Sequence, residues 1–80
     1  MAETIHADKT IDARGSYCPG PLMELIKTLK QVPVGTVVEV WSSDAGSKRD
    51  IPQWAERAKQ ELVYIRDEDG YAAIGVRKVK

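Results

Sequence analysis

Cysteine, histidine, aromatic residues and excess charge are all scarce in this chain of eighty residues. It has one cysteine, Cys18, and one histidine, His6. A single cysteine cannot form an internal disulfide, which excludes the small disulfide-stapled secreted domains. One Cys and one His cannot build a Cys/His zinc cage, so no metal site is expected. The 12 basic and 12 acidic residues cancel. Without a basic surplus there is no broad field to attract a phosphate backbone, and aromatics make up only 6% of the chain. Direct nucleic-acid binding is therefore not expected. No apolar run approaches the roughly 20 residues of a membrane span. The polar stretch Met1 to Lys9 has no apolar signal core, so no membrane association is expected and the cytoplasm is the expected compartment.

The residues that are present form a short alternating pattern of elements. Residues 1–80 are expected to make one domain, with 1–7 as a short flexible lead-in. Lys9 to Ala13 reads as a brief strand with Ile11 inward, and Arg14-Gly15-Ser16 as a turn. From Pro21 to Gln31 the apolar residues Leu22, Leu25, Ile26 and Leu29 recur at helical spacing until Pro33 and Gly35 stop them. Thr36 to Trp41 alternates as a strand, with Val38 and Val40 on one side and Val37, Glu39 and Trp41 on the other.

After the polar loop from Ser42 to Lys48, a second helix begins between Ser47 and Asp50. It is capped either by a Ser47/Asp50 box or by Asp50, with Pro52 in its first turn. Its inward residues are Ile51, Trp54, Ala55 and Ala58. Leu62 to Arg66 and Tyr71 to Val79 read as strands joined at Asp67-Glu68-Asp69-Gly70, where Asp-Gly is a hairpin signal. The order is βαβαββ. A strand–helix–strand crossover leaves its two strands parallel. The loops entering both helices then share one end of the sheet, and Cys18 faces the same rim as Asp44, Lys48, Arg49 and Asp50.

Cys18-Pro19-Gly20-Pro21 is the most informative stretch. The two prolines sharply define a helix start. Cys18 stands at that start, where the free N–H groups of Gly20, Leu22 and Met23 and the positive end of the helix dipole favour a thiolate. Such positions lower a thiol pKa from about 8.5 to roughly 3.5–7.5. There is no second thiol to resolve a disulfide, and His6 lies before the first strand, away from any Cys–His pairing. A sulfur carrier needs neither partner. The competing reading is a buried small hydrophobe that merely precedes a helix.

Ile11-Asp12-Ala13-Arg14-Gly15-Ser16-Tyr17-Cys18-Pro19-Gly20-Pro21-Leu22 resembles the opening of the TusA/SirA-like sulfur-carrier family. Members typically read Leu-Asp-x-Arg-Gly-x-x-Cys-Pro-x-Pro. The stretch from Ser43 to Trp54 resembles the family's loop and the Asp-Ile-Pro start of its second helix. The chain departs at Ala45, where many members have proline, and at Gln60-Glu61, where many have Gly-His.

The resemblance implies an α+β fold, a two-layer sandwich with both helices packed on one face of a four-stranded mixed sheet. It also implies that Cys18 is the catalytic residue of a carrier-type sulfurtransferase. Cys18 would hold sulfur as a covalent persulfide with no other cofactor, taking it from a cysteine desulfurase or rhodanese and passing it to a TusD/DsrE-like acceptor. The relay would serve tRNA thiolation, molybdenum cofactor supply or sulfur oxidation. A thiosulfonate cargo and a thiol redox sensor are the alternatives.

Around Cys18, Pro19, Gly20 and Pro21 shape the site. Arg14, Lys48 and Arg49 are candidates to steady an anionic persulfide or dock a partner, with Met23 in an apolar rim. The plain reading of the three cations is solvated loops. Asp12 and Asp44 are candidates to orient them, and Asp50 is expected to cap the second helix. Trp54 is expected in the core, while Trp41 stands at a strand end.

Overall fold

The computed structural model describes residues 7–15 and 20–80. In chain order the elements are β1 (Lys9–Asp12), α1 (Gly20–Leu29), β2 (Val37–Ser42), α2 (Ser47–Ala58), β3 (Glu61–Glu68) and β4 (Tyr71–Arg77). The four strands form one mixed sheet in the order β1-β2-β4-β3. β1 runs parallel to β2, with Ile11 opposite Val40. β4 lies antiparallel to both β2 and β3. This is the α+β sandwich that the family resemblance implied.

Alternation along β2 and β4 decides which face is covered. Val38, Val40, Ile74 and Val76 are fully buried beneath Leu25 of α1 and Ile51 of α2. These branched residues suit a pleated surface, and the helices supply their apolar stripes at helical spacing. Leu22 and Trp54 close the edges of this core, each partly buried. Trp54 is therefore a border residue and not a sealed core one.

Several boundaries differ from expectation. α1 ends at Leu29, two residues before the expected Gln31, because Gln31 already donates to Thr28 O in a tighter turn. Neither expected cap of α2 forms. Gly46 holds the cap position with no side-chain hydrogen bond. The hydroxyl of Ser47 is instead buried against Ser42 Oγ at 2.7 Å. Asp50 already lies inside the helix and donates its N–H to Gly46 O at 2.8 Å, and Pro52 sits further in. The first turn is entered through backbone bonds from Ser47, Lys48 and Arg49 to the carbonyls of Asp44, Ala45 and Gly46.

At the other end of α2, Lys59 takes the left-handed conformation with φ 61°. Gln60 N reaches back to Ala55 O and Lys59 N to Glu56 O, a Schellman ending in which lysine holds the position usually given to glycine. The β3–β4 hairpin turns on Asp69 and Gly70 alone, with Glu68 opposite Tyr71 and Gly70 at φ 86°.

Candidate functional site

Parallel pairing of β1 and β2 sends both strands out of the same end of the sheet, so the segments entering α1 and α2 start side by side. Three bonds hold the first segment to the sheet. Ala13 N donates to Trp41 O at 2.9 Å, and Gly15 N donates to Ser43 Oγ at 3.0 Å. Arg14 N donates to Asp12 Oδ1 at 3.2 Å. Gly15, at φ 89°, makes the turn that a side chain would resist. The shared rim expected from chain order is thus present at Gly15 and Ser43. Cys18 and Pro19 lie outside the described residues. Gly20 opens α1, and Pro21 behind it is fully buried.

Arg14 leaves the rim toward the helix-free face of the sheet. Its Nε and Nη2 grip both oxygens of Asp12, at 2.8 and 2.7 Å. Its guanidinium lies 4.9 Å from the Trp41 ring centre and 5.1 Å from that of Tyr71. Those two rings stand 5.3 Å apart. The arginine is held in a charge-and-aromatic clamp. Hydrogen bonding from Arg14 also pulls the Asp12 carboxyl down to about 2.

The other two cations each have an acid. Lys48 meets Asp67 at 2.6 Å, tying α2 to the end of β3, and Arg49 meets Asp50 at 3.4 Å. Asp12 therefore orients Arg14 as expected, and Asp50 holds Arg49 and caps nothing. Asp44 Oδ1 accepts from Gly46 N at 3.0 Å and shapes the turn into α2. Between Ser43, Asp44, Lys48, Asp67 and Tyr71 the rim opens a hollow of about 270 Å³. Met23 is 56% exposed on α1.

Reading the sequence did not find the network beside the Arg14 clamp. Glu39, only 6% exposed, lies on the helix-free face. It accepts hydrogen bonds from the Tyr64 hydroxyl and Trp41 Nε1, with Arg66 Nη2 at 3.4 Å. Burial alone would raise the Glu39 carboxyl. The donors Tyr64 and Trp41, with the charge of Arg66, outweigh it and hold Glu39 below its ordinary value. Tyr64, desolvated and bound to that carboxylate, is pushed up to about 12. Its ring lies against Gly75, where a Cβ would overlap it. The only sequence signal was an acid on the same strand side as Trp41. Its partners Tyr64 and Arg66 stand on β3 and reach it across Gly75 of β4, which register sets opposite both Glu39 and Tyr64.

Among the described residues no group of three or more His, Cys, Asp and Glu is arranged to hold a metal ion. No helix there is long and apolar enough to cross a membrane.

Residues 9–78 match the model of the family described as sulfurtransferase TusA. A provisionally named sulfur carrier protein of Archaeoglobus fulgidus is 63% identical over 70 residues, covering 88% of this chain and 96% of that protein. The sulfur carrier protein TusA of Pseudomonas entomophila is 36% identical over 78 residues, covering 98% and 96%. The crystal structure of a SirA-like protein from Desulfitobacterium hafniense superposes with a TM-score of 0.79 at 26% identity, covering 90% of this chain and 99% of that one. The same four-stranded mixed sheet and paired helices, matched over nearly the whole length, make the chain a member of the sulfurtransferase TusA family, whose work is to carry sulfur.

Proposed function

We propose that the chain carries sulfur on Cys18 as a persulfide, within a relay between two cytoplasmic proteins. The observation that supports this most is the joined rim. Gly15, three positions before Cys18, is fastened to Ser43, and Gly20, two positions after it, is the first residue of α1. The described backbone is thus tied before the Cys18 segment to the loop entering α2, at Ser43, and after it to α1. A carrier cysteine needs such a mount, because its only task is to present a nucleophile to successive partners.

In the proposed chemistry the Cys18 thiolate attacks the terminal sulfur of a donor persulfide. The donor's S–S bond breaks and the donor leaves as a thiolate. The Cys18 persulfide is then attacked at its outer sulfur by an acceptor thiolate, and Cys18 departs as the leaving group. Each step exchanges one S–S bond for another, with no net oxidation and no cofactor. The N–H groups of Gly20, Leu22 and Met23 at the start of α1 favour the anion at both stages, with Pro19, Gly20 and Pro21 shaping the site. Lys48 and Arg49, already paired with acids, serve in this reading as a rim for docking a partner. Arg14 braces the loop stem. A cysteine desulfurase or rhodanese would be the donor, and a TusD/DsrE-like protein the acceptor.

The test is intact mass after incubation with a cysteine desulfurase and cysteine. One added sulfur atom, removed by reductant and absent from Cys18→Ser, is the expected result. A wild-type thiol that takes up no sulfur from desulfurase or polysulfide would refute the reading. An adduct formed only with tetrathionate or thiosulfate would move the cargo to a thiosulfonate.

A further inference from the structure

The end of the molecule opposite the helix-entry rim carries a second surface. Where α1 and α2 finish, a hollow of about 390 Å³ opens between them, floored by Ile26, Leu29, Trp54 and Ala58. Its polar border is one-sided. Lys30, Lys78 and Lys80 line it, and no acidic side chain does. None of these lysines is in an ion pair among the described residues.

The border is also built. Gln60 Oε1 accepts from Val79 N at 2.7 Å and Lys80 N at 3.3 Å, holding the Lys80 backbone beside the hollow. Lys78 Nζ is fixed on Val32 O at 2.8 Å. Trp54 also walls a second hollow nearer the rim, about 240 Å³, lined with Leu22, Asp50, Gln53 and Arg57. Together the two hollows make one elongated crevice between the helices, divided by the indole.

We infer that this crevice docks an amphipathic segment of a partner protein that seats an apolar side chain against Trp54 and sets carboxylates against Lys30 and Lys80. Charge complementarity selects an acidic occupant, since the three cations have no acid of their own beside them. The elongated shape favours a helical segment over a compact small molecule. α1, with ten residues, spans about 15 Å. A partner held here leaves the helix-entry rim at Gly15 and Ser43 unobstructed. The inference rests on the carrier reading only for the identity of the occupant as a relay protein.

The probe is a synthetic helical peptide with leucines on one face and glutamates flanking them, compared with its lysine-for-glutamate counterpart. Amide and indole shifts are mapped by NMR. The glutamate peptide is expected to move Ile26, Lys30, Trp54 and Ala58, more weakly at high salt. The double substitution Lys30→Glu with Lys80→Glu, at two exposed positions, is expected to weaken binding by about tenfold or more with an unchanged melting temperature. Several results would overturn the inference. They are no shift at these residues, equal binding of the lysine peptide, shifts centred on Ser43 and Lys48 instead, or tighter binding in the crevice by decanoate or an RNA oligonucleotide. Sulfur loading of Cys18 is measured on the same samples. A charge-reversed protein that loads normally but no longer binds peptide separates the crevice from the carrier chemistry. Wild type that binds peptide but never loads removes the carrier reading alone.

Discussion

Glu39 shows how one side chain organises the helix-free face of the sheet. A carboxylate in the middle of a central strand is costly unless its oxygens are occupied. Tyr64, Trp41 and Arg66 occupy them. Tyr64 is expected to ionise near 12, against an ordinary 10. Because the folded value lies above the unfolded one, the folded state holds this proton more tightly. Its stabilisation is complete below pH 10 and is lost as the pH rises toward 12. Tyrosine ring shifts followed through an alkaline titration would check this, and Glu39→Gln should bring the Tyr64 midpoint down.

The ring of Tyr64 over Gly75 leads to a second prediction. Gly75→Ala should destabilise the fold by about 1–3 kcal/mol, since the methyl group displaces the ring from its carboxylate. In a Tyr64→Ala background the same change should cost much less. Chemical denaturation of the two single variants and the double variant measures that coupling.

Among the elements, α2 departs furthest from helix-end rules, and its two ends fail differently. Its start lacks a side-chain cap because Ser47 is bonded to Ser42 and buried. A link between strand end and helix start replaces the cap. Ser42→Ala should therefore cost about 1–2 kcal/mol, by leaving a buried hydroxyl on Ser47 with one partner fewer. Its end places Lys59 in a left-handed conformation, which disfavours residues carrying a Cβ by roughly 1–2 kcal/mol. Lys59→Gly should recover about 0.5–1 kcal/mol as a rise in thermal midpoint, provided the Schellman bonds of Gln60 and Lys59 persist. A fall in stability would show that the lysine side chain contributes more than its backbone loses.

For the whole molecule, the strand order places β2 and β4 in the middle and leaves β1 and β3 as edges. The fully buried residues Val38, Val40, Ile74 and Val76 are all on the two central strands. β3 is a weak edge, with Leu62 and Ile65 each 37% exposed and its pairing to β4 interrupted between Leu62 and Tyr64. Amide exchange is therefore expected to be slowest in β2 and β4 and clearly faster along β3 and β1. Equal protection on all four strands would contradict that division. The covered face of the sheet supplies stability, and the ends of the helices supply the two surfaces to which partners are assigned above.

Local chemistry, readable along the chain, determined the order of elements, the core residues Leu25, Leu29, Ile51 and Ala55 of the helices, the sides of β2 and the hairpin at Asp69-Gly70. Each depends on neighbours a few positions apart. The parallel entry of both helices at one rim also followed from that order. The motif around Cys18 carries the family in the sequence itself. Contacts across the sheet decided the rest. Arg14 stacks on Trp41 and Tyr71, Glu39 gathers Tyr64 and Arg66, Lys48 pairs with Asp67, and Ser47 is turned from cap to buried link. Apart from the Ser42–Ser47 link, five residues apart, these partners lie about twenty or more positions from one another, beyond the reach of local propensity. The lysine-bordered crevice is likewise tertiary, since Lys30, Lys78 and Lys80 meet only where the helices end beside the chain's last residues.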